Sequence, residues 1–415
     1  MKILHLAAGQ IPDGGGATKG AYWLHEAQRK IGIDSTILIN GSNNSDDNSV
    51  MSMRNTNFDK FKTSFIDKIG NLPVFLYPKR KKFHFDTGFT GINFLNLIKY
   101  KQADIIHLHW INGLVSIKII NKINKPVVWT MRDMWPITGG CHYPMDCNNY
   151  KTGCGYCPQL QSNNNFDLSK IILNYKKKFL KKNIKLVGVS EWISNEARKS
   201  YLFKDFDIRT IKNNINTNQF FPINKIVARQ KLKIVTKKKV ILTGAIRPED
   251  YYKGFHKLSE ILKKLDKNKY FLCFFGNINI NLVENFGLEF KNFGYIKDSD
   301  LLRNIYSSAD VFIAPNIQDA SPKTVKEANA CGTPIACFDT TGLKDIVEHK
   351  VTGFKSKNFN SIELVSGIEW ICNLKKVEYE LLCFNSRQRM KKYFDSKVIA
   401  HKYKLLYNEI LNKNN

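Results

Sequence analysis

One pattern constrains the fold of this chain more than any other: short apolar runs, each long enough for one buried strand, alternate with segments of helical apolar spacing, and the series occurs twice. In the first half the runs are Ile3 to Ala8, Asp34 to Asn40, Asp104 to His109, Pro126 to Thr130 and Lys185 to Val189. The first leads into Gly14-Gly15-Gly16 and then a helix with Ala21, Leu24, Ala27 and Ile31 on one face. In the second half, Lys239 to Ala245, Phe271 to Phe275, Val311 to Ala314 and Pro334 to Cys337 are separated by helical segments around 255–265, 300–307 and 324–330. Alternation of this kind predicts an α/β fold with parallel sheets covered by helices, whose binding crevices lie at the carboxyl ends of the strands. Residues 213–235 are polar, carry Pro222 and lack apolar periodicity, which marks a domain boundary. The predicted organisation is a first domain over 1–215 with a cysteine-rich loop at 139–160, a second domain over 216–392, and a C-terminal helix over 393–415. That helix has Val398, Ile399, Tyr403, Leu406, Tyr407 and Ile410 at helical spacing, ready to pack back toward the first domain.

Charge narrows the class of partner. With 64 Lys plus Arg against 36 Asp plus Glu, the net charge of +28 calls for anions: phosphates, nucleic acid or a membrane surface. No nucleic-acid module accompanies the charge, so nucleic acid is not an expected partner. Two basic clusters, Lys79-Arg80-Lys81-Lys82 and the six lysines from Lys176 to Lys185, suit either a solvated face or peripheral contact with an anionic inner membrane. The N-terminal residues lack the pattern of a signal peptide, and no apolar run approaches the ~20 residues that span a bilayer. Nine cysteines, an odd number, favour a reducing compartment. The expected location is cytoplasmic, with any membrane contact peripheral at the inner face. Gly14-Gly15-Gly16 does not spell Gly-x-Gly-x-x-Gly, and no acid ends the second strand, which weighs against a dehydrogenase.

The stretch from Pro315 to Phe354 carries the chemistry. Asp319 and Glu327 are separated by seven residues, and Ser321-Pro322-Lys323-Thr324 between them reads as a loop entering a helix. Backbone N–H groups at a helix start suit an anionic diphosphate, and a carboxylate one turn further in can accept from two vicinal ribose hydroxyls. The order Asp319, Glu327, Ala328, Cys331-Gly332-Thr333-Pro334, Gly342, Glu348, Gly353-Phe354 resembles the nucleotide-binding signature of the retaining glycosyltransferases of family 4. Asp319 stands where that family usually has Glu. Upstream, Gly244-Ala245-Ile246-Arg247 and Lys253-Gly254 resemble the family's Gly-x-x-Arg and Lys-Gly pair, and Phe293-Gly294-Tyr295-Ile296 resembles the loop lying against the nucleotide base.

The resemblance implies a GT-B architecture: two Rossmann-like domains with parallel sheets facing across a cleft. It implies a metal-independent, retaining glycosyltransferase of the hexosyltransferase type, with no cofactor needed for catalysis and a nucleoside-diphosphate sugar donor of UDP or GDP type. Arg247 and Lys253 would offset the charge left on the β-phosphate. Asp319, Ser321, Lys323, Thr324, Glu327, Tyr295 and Ile296 would hold the donor together with Gly14, Gly15 and Gly16. The segment from Thr130 to Leu160 resembles a subset of the family acting in bacterial cell-surface polysaccharide assembly, the colanic-acid type, which implies a lipid-linked or free saccharide acceptor. Two readings from other classes keep the fold: a sugar-nucleotide epimerase, and a basic binding protein without catalysis.

In the first domain, His107, His109 and Trp110 end one strand, and Arg132, Asp133 and Trp135 follow the next. Strand ends are where a site belongs, so His109 is a candidate to polarise an acceptor hydroxyl and Asp133 to take its proton or fix its orientation. Cys141, Cys147, Cys154 and Cys157 are spaced C-x5-C-x6-C-x2-C, compatible with a structural zinc, with reduced thiols or with disulfides.

Overall fold

The computed structural model of the 415-residue chain describes residues 1–12, 14–54, 56–181, 183–245, 249–278 and 284–413. It forms two compact units, residues 1–214 with 396–415, and residues 215–395.

The first unit is built on seven parallel strands: β1 (Lys2–Ala7), β2 (Asp34–Ile39), β3 (Val50–Ser52), β4 (Ile105–Leu108), β5 (Val127–Met131), β6 (Lys185–Gly188) and β7 (Ile208–Thr210). Their order is β3-β2-β1-β4-β5-β6-β7, so the direction of winding reverses between β1 and β4. The central strands are apolar runs because helices cover both faces of a parallel sheet and leave no side exposed to water. After the glycine loop, the helix Gly16–Lys30 turns Ala21, Leu24 and Ala27 inward. The helix Ser396–Asn412 joins the same core through Ile399, Tyr403, Leu406, Tyr407 and Ile410, packed with Ile3, Leu24 and Ile105.

The second unit has six parallel strands: β8 (Lys239–Ala245), β9 (Tyr270–Gly276), β10 (Glu289–Asn292), β11 (Val311–Ala314), β12 (Ile335–Phe338) and β13 (Gly353–Ser356). The order β10-β9-β8-β11-β12-β13 reverses between β8 and β11. Ile241, Leu272, Phe274, Ile313, Ala336 and Phe338 fill the core with the inward faces of the helices Phe255–Leu262 and Ser361–Asn373.

The helix Leu168–Phe179 differs from its reading as a basic outer face. Lys176 is fully buried, its ammonium bonded to the carbonyls of Trp135 and Thr138 and lying 3.7 Å from the centre of the Trp135 ring. Ile172 and Leu173 are buried with it, so this side of the helix belongs to the core.

Candidate functional site

In an open parallel sheet a ligand crevice forms where the winding reverses, outside the carboxyl ends of the two strands concerned. In the second unit those strands are β8 and β11. From β11 the chain passes through Asp319 and enters the helix Lys323–Ala330 with Pro322 at the N-cap and no side chain capping the first turn. Backbone N–H groups and the positive end of the helix dipole thus point outward from the crevice floor.

Lys253 is brought to the same place by a turn that only glycine can complete. Gly254 sits at φ 72°, and a Cβ there would lie 1.8 Å from the Pro315 carbonyl oxygen, so the turn can rest against the exit of β11. The Lys253 ammonium is 2.7 Å from Asp319 Oδ2. Asp319 Oδ1 accepts from the Ser321 N–H at 3.0 Å, which fixes the carboxylate at the helix entrance.

Glu327 is wholly buried one turn further in. The Tyr306 hydroxyl donates to its Oε2 at 2.8 Å; burial and then the Glu327 charge hold that hydroxyl well above its ordinary pKa, so it stays a donor. The Lys323 ammonium lies 3.2 Å from Oε1, yet Oε1 makes no hydrogen bond, and neither does the buried Ser321 hydroxyl. Unsatisfied buried polar atoms are uncommon and gather where a ligand completes the set. Thr324 is half-buried in the first turn of the same helix. Tyr295 is exposed and Ile296 half-buried on the loop after β10, tied to the end of β9 by the Gly276 N–H donating to the Gly294 carbonyl at 2.6 Å. Arg247, with Ile246, lies outside the described residues.

The first unit has its own reversal, between β1 and β4. Gly15 caps the helix Gly16–Lys30 without a side chain. A Cβ on Gly14 would meet the Gln10 carbonyl oxygen at 2.3 Å, so the fold itself requires glycine there. Gly15 has φ −56° and nothing within 4 Å of its would-be Cβ; neither the fold nor its backbone angle demands glycine at 15.

Parallel register places His5 of β1 beside His107 of β4, and His109 follows at the strand end. Among the described residues, these three are the only His, Cys, Asp or Glu trio whose ligand atoms lie within 4.8 Å of one another. Hydrogen bonds account for all six of their ring nitrogens. Arg132, which can only donate, gives Nη2–H to His109 Nδ1 at 3.1 Å. His109 Nε2–H must then donate to His5 Nδ1 at 2.9 Å, and His5 Nε2–H to Gln28 Oε1 at 2.8 Å. The Gln28 amide donates to the Tyr407 hydroxyl at 3.0 Å, leaving the Tyr407 proton for His107 Nδ1 at 2.6 Å. His107 Nε2–H donates to Thr130 at 2.7 Å, and the Thr130 hydroxyl shares a hydrogen bond with the Tyr403 hydroxyl at 2.7 Å. The chain runs one way, from the strand-end guanidinium to the C-terminal helix, with every imidazole neutral. Burial first, then the neighbouring rings and Arg132, push His107 and His109 well below the ordinary histidine range and His5 down to about 3.

This arrangement changes the expectation for His109. Its ring has no nitrogen left for an acceptor hydroxyl, and what it does is orient Arg132. Arg132 also donates to the Asn213 side-chain oxygen, while its buried Nε has no partner. Among the described residues no carboxylate pairs with it, so a guanidinium still charged at neutral pH, its pKa pulled by burial to about 10, stands at the strand ends. Asp133 is engaged on both oxygens: Oδ1 accepts from the Trp135 N–H at 2.9 Å, and Oδ2 is 2.6 Å from His142 Nδ1. His142 Nε2 is 2.7 Å from Asp86 Oδ2. Burial opposes the charge on His142, but the two carboxylates prevail and raise it to about 10. Asp133 is therefore the partner of an imidazolium, which suits orientation and charge placement better than proton removal. Asp86, His5, Gln28 and Tyr407 escape a reading based on strand ends, because their partners lie tens to hundreds of residues away, and His142 because it stands inside a loop, nine residues from Asp133 and 56 from Asp86.

A further surface feature belongs to the first unit. The helix Asn57–Asn71 and the turn after it expose Phe58, Phe61, Phe65, Ile69, Phe75 and Leu76, at spacings of three and four along the helix. Lys60, Lys62, Lys68, Lys79, Lys81 and Lys82 are exposed around them. Among the described residues no helix is long and apolar enough to cross a membrane.

Known proteins share this architecture and resemble parts of the sequence. The family described as Glycosyltransferase Family 4 matches residues 14–219, and the family described as Glycosyl transferases group 1 matches residues 224–396. The chain is 26% identical over 230 residues to the N,N'-diacetylbacillosaminyl-diphospho-undecaprenol alpha-1,3-N-acetylgalactosaminyltransferase of Campylobacter jejuni, covering 52% of this chain and 59% of that protein. It is 36% identical over 72 residues to the putative colanic acid biosynthesis glycosyl transferase WcaC of Escherichia coli, covering 16% and 17%. Both matches span less than two thirds of the relative's own length. The sucrose-phosphate synthase of Thermosynechococcus elongatus superposes over 100% of both chains with a TM-score of 0.70 at 16% identity, a likeness of fold. The two parallel sheets are those of GT-B glycosyltransferases, and the chain belongs to the group 1 glycosyltransferases of family 4.

Proposed function

We propose that this glycosyltransferase moves a hexose from a nucleoside-diphosphate sugar, of UDP or GDP type, to a hydroxyl of a lipid-linked saccharide in bacterial surface polysaccharide synthesis, with retention at the anomeric carbon. The observation that carries the donor assignment is the uncapped helix Lys323–Ala330, with a buried Glu327 oxygen and the Ser321 hydroxyl both lacking hydrogen bonds. The diphosphate rests on the first-turn N–H groups and Lys323, with Thr324 beside them, and Glu327 accepts from the ribose hydroxyls. Lys253 leaves Asp319 in part to meet the β-phosphate, with Arg247 as the second cation. Asp319, freed of half its partner, faces the donor sugar. Tyr295 and Ile296 flank the base.

In the transfer the acceptor oxygen bonds to the anomeric carbon on the face from which the β-phosphate oxygen departs. The bond to that oxygen breaks with its electron pair, and the acceptor proton passes to the leaving phosphate. Fixed cations carry the developing charge, so the reaction needs no metal. Arg132, oriented by His109, and the Asp133–His142 pair place the acceptor. The lipid-linked acceptor and a site at the inner membrane face are supported by the exposed apolar stripe with its basic border, and by the diphospho-undecaprenol substrate in the name of the Campylobacter jejuni relative.

The test is transfer from a panel of nucleotide sugars to a lipid-linked saccharide, in the presence of a chelator, with the product anomer read by NMR. Retained configuration and undiminished turnover with chelator support the proposal. Inversion, or loss of turnover restored by a divalent cation, refutes it.

A further inference from the structure

Apart from Arg132, Asp133 and His142, the loop between β5 and the helix Leu168–Phe179 has no part in the proposed transfer, yet it is heavily specified. Cys141, Cys147, Cys154 and Cys157 all line one small cavity of about 20 Å³, walled also by Phe85 and Tyr150. Backbone N–H groups are already directed at the sulfurs. Cys147 accepts from Asn149, Cys157 from Gln159 and Leu160, and Cys154 from Gly139. Donors two and three residues beyond a cysteine wrap its sulfur in the way that outer-shell hydrogen bonds orient metal-bound ligands. Met145, Cys154 and Tyr156 hold φ of 56°, 57° and 47°, left-handed conformations that each cost on the order of 1 kcal/mol and persist only where something over-determines them.

A second observation, from outside the loop, concerns charge. Lys176 is fully buried, and among the described residues it has no carboxylate within ion-pair distance; its bonds are to the Trp135 and Thr138 carbonyls. A desolvated ammonium needs a counter-charge. Trp135 and Thr138, whose carbonyls hold the ammonium, belong to the same loop as the four cysteines. A zinc ion with four thiolates carries a net charge of −2, and Lys176 offsets half of it.

We propose that Cys141, Cys147, Cys154 and Cys157 bind one structural zinc ion, closed by Lys176 as its buried counter-cation, which fastens the loop to the helix Leu168–Phe179. No three of the sulfurs stand within 4.8 Å of one another, whereas a tetrahedral site with Zn–S of ~2.3 Å puts them ~3.8 Å apart. Binding therefore draws the four side chains inward into the cavity they share. Four sulfur ligands fill the coordination sphere, so the ion is structural and leaves no open position for substrate.

The test measures metal and thiols on the full chain, purified without chelator in reductant. Elemental analysis should give about one zinc per chain, and a Cys154→Ser/Cys157→Ser double variant should fall at least tenfold. A Cys273→Ser/Cys372→Ser variant, altered in the second unit, should keep its zinc. Replacement by cobalt should give the intense thiolate charge-transfer and tetrahedral d–d bands of a four-sulfur site, a readout on the wild-type chain that survives a variant failing to fold. Zinc below a tenth of an equivalent with all nine cysteines titrating as free thiols would overturn the proposal. So would iron in place of zinc, a thiol count reduced by disulfides, or cobalt bands lacking sulfur character.

Discussion

Raising the pH from 6.5 to 10 should remove the charge on His142 and with it the ion pairs to Asp133 and Asp86. The folded pKa of about 10 lies above the ordinary value of 6.5. A histidine raised in this way contributes stability that is fully present below the unfolded pKa and is lost as pH climbs through the folded one. The separation of about 3.5 units corresponds to on the order of 5 kcal/mol, and the slope between the two values is set by one proton at ~1.4 kcal/mol per pH unit. Asp86 is displaced the other way: burial raises its pKa, but the His142 bonds outweigh this and lower it, so its contribution changes only in acid, outside this window. The quantity to measure is the difference in unfolding free energy between wild type and His142→Gln, in which other titrating groups cancel. Tryptophan fluorescence in urea reports mainly on the first unit, which contains Trp23, Trp110, Trp129, Trp135 and Trp192 of the six tryptophans. Between pH 7 and 9 the difference should shrink by about 2–3 kcal/mol. A difference constant to within ~0.5 kcal/mol would show that His142 is not a buried imidazolium, and the role given to Asp133 would fall with it.

Three other perturbations have defined outcomes. Tyr407→Phe leaves the Gln28 amide and His107 Nδ1 buried without partners, so urea denaturation should show a loss of about 2–5 kcal/mol; a loss under ~1 kcal/mol would contradict the one-way chain. Gly14→Ala should destabilise by ~1–3 kcal/mol through its clash with the Gln10 carbonyl, whereas Gly15→Ala should cost less, both readable by thermal denaturation. Equal losses in the two would contradict the steric requirement for glycine at 14. Phe61→Asp with Phe65→Asp should lower co-sedimentation with phosphatidylglycerol vesicles at least tenfold while leaving binding of the nucleotide sugar intact; unchanged sedimentation would assign the stripe to another partner.

The central strands are legible in the sequence because burial on both faces forces them to be continuous apolar runs. The strands missed are all at or next to a sheet edge. β3 and β7 have three residues each, and β10 reads Glu-Phe-Lys-Asn, with no fully buried position. β13 is hidden in the Gly353-Phe354 motif, which reads as a signature before it reads as a strand. In the candidate site, Asp319, Glu327 and Lys253 are legible because helix entry and motif order are local. The histidine chain is not, since it depends on the register of β1 against β4 and on a helix nearly four hundred residues from Gln28. The helix Asn57–Asn71 shows the opposite failure: Phe58, Phe61, Phe65 and Ile69 have the spacing of a core-facing stripe, and only the structure shows them facing outward. Lys176 fails the same way, since a lysine run gives no sign that one member is buried beneath a tryptophan.

The central claim is that the second unit grips a nucleoside-diphosphate sugar through Glu327. It is tested most directly by calorimetric titration of UDP- and GDP-sugars into wild type and Glu327→Gln, a substitution that keeps the side chain's size. The account predicts saturable binding of at least one donor by the wild type and at least tenfold weaker binding by the variant, a loss of ~1.4 kcal/mol or more. Equal affinity in the two proteins would place the donor somewhere other than the helix Lys323–Ala330.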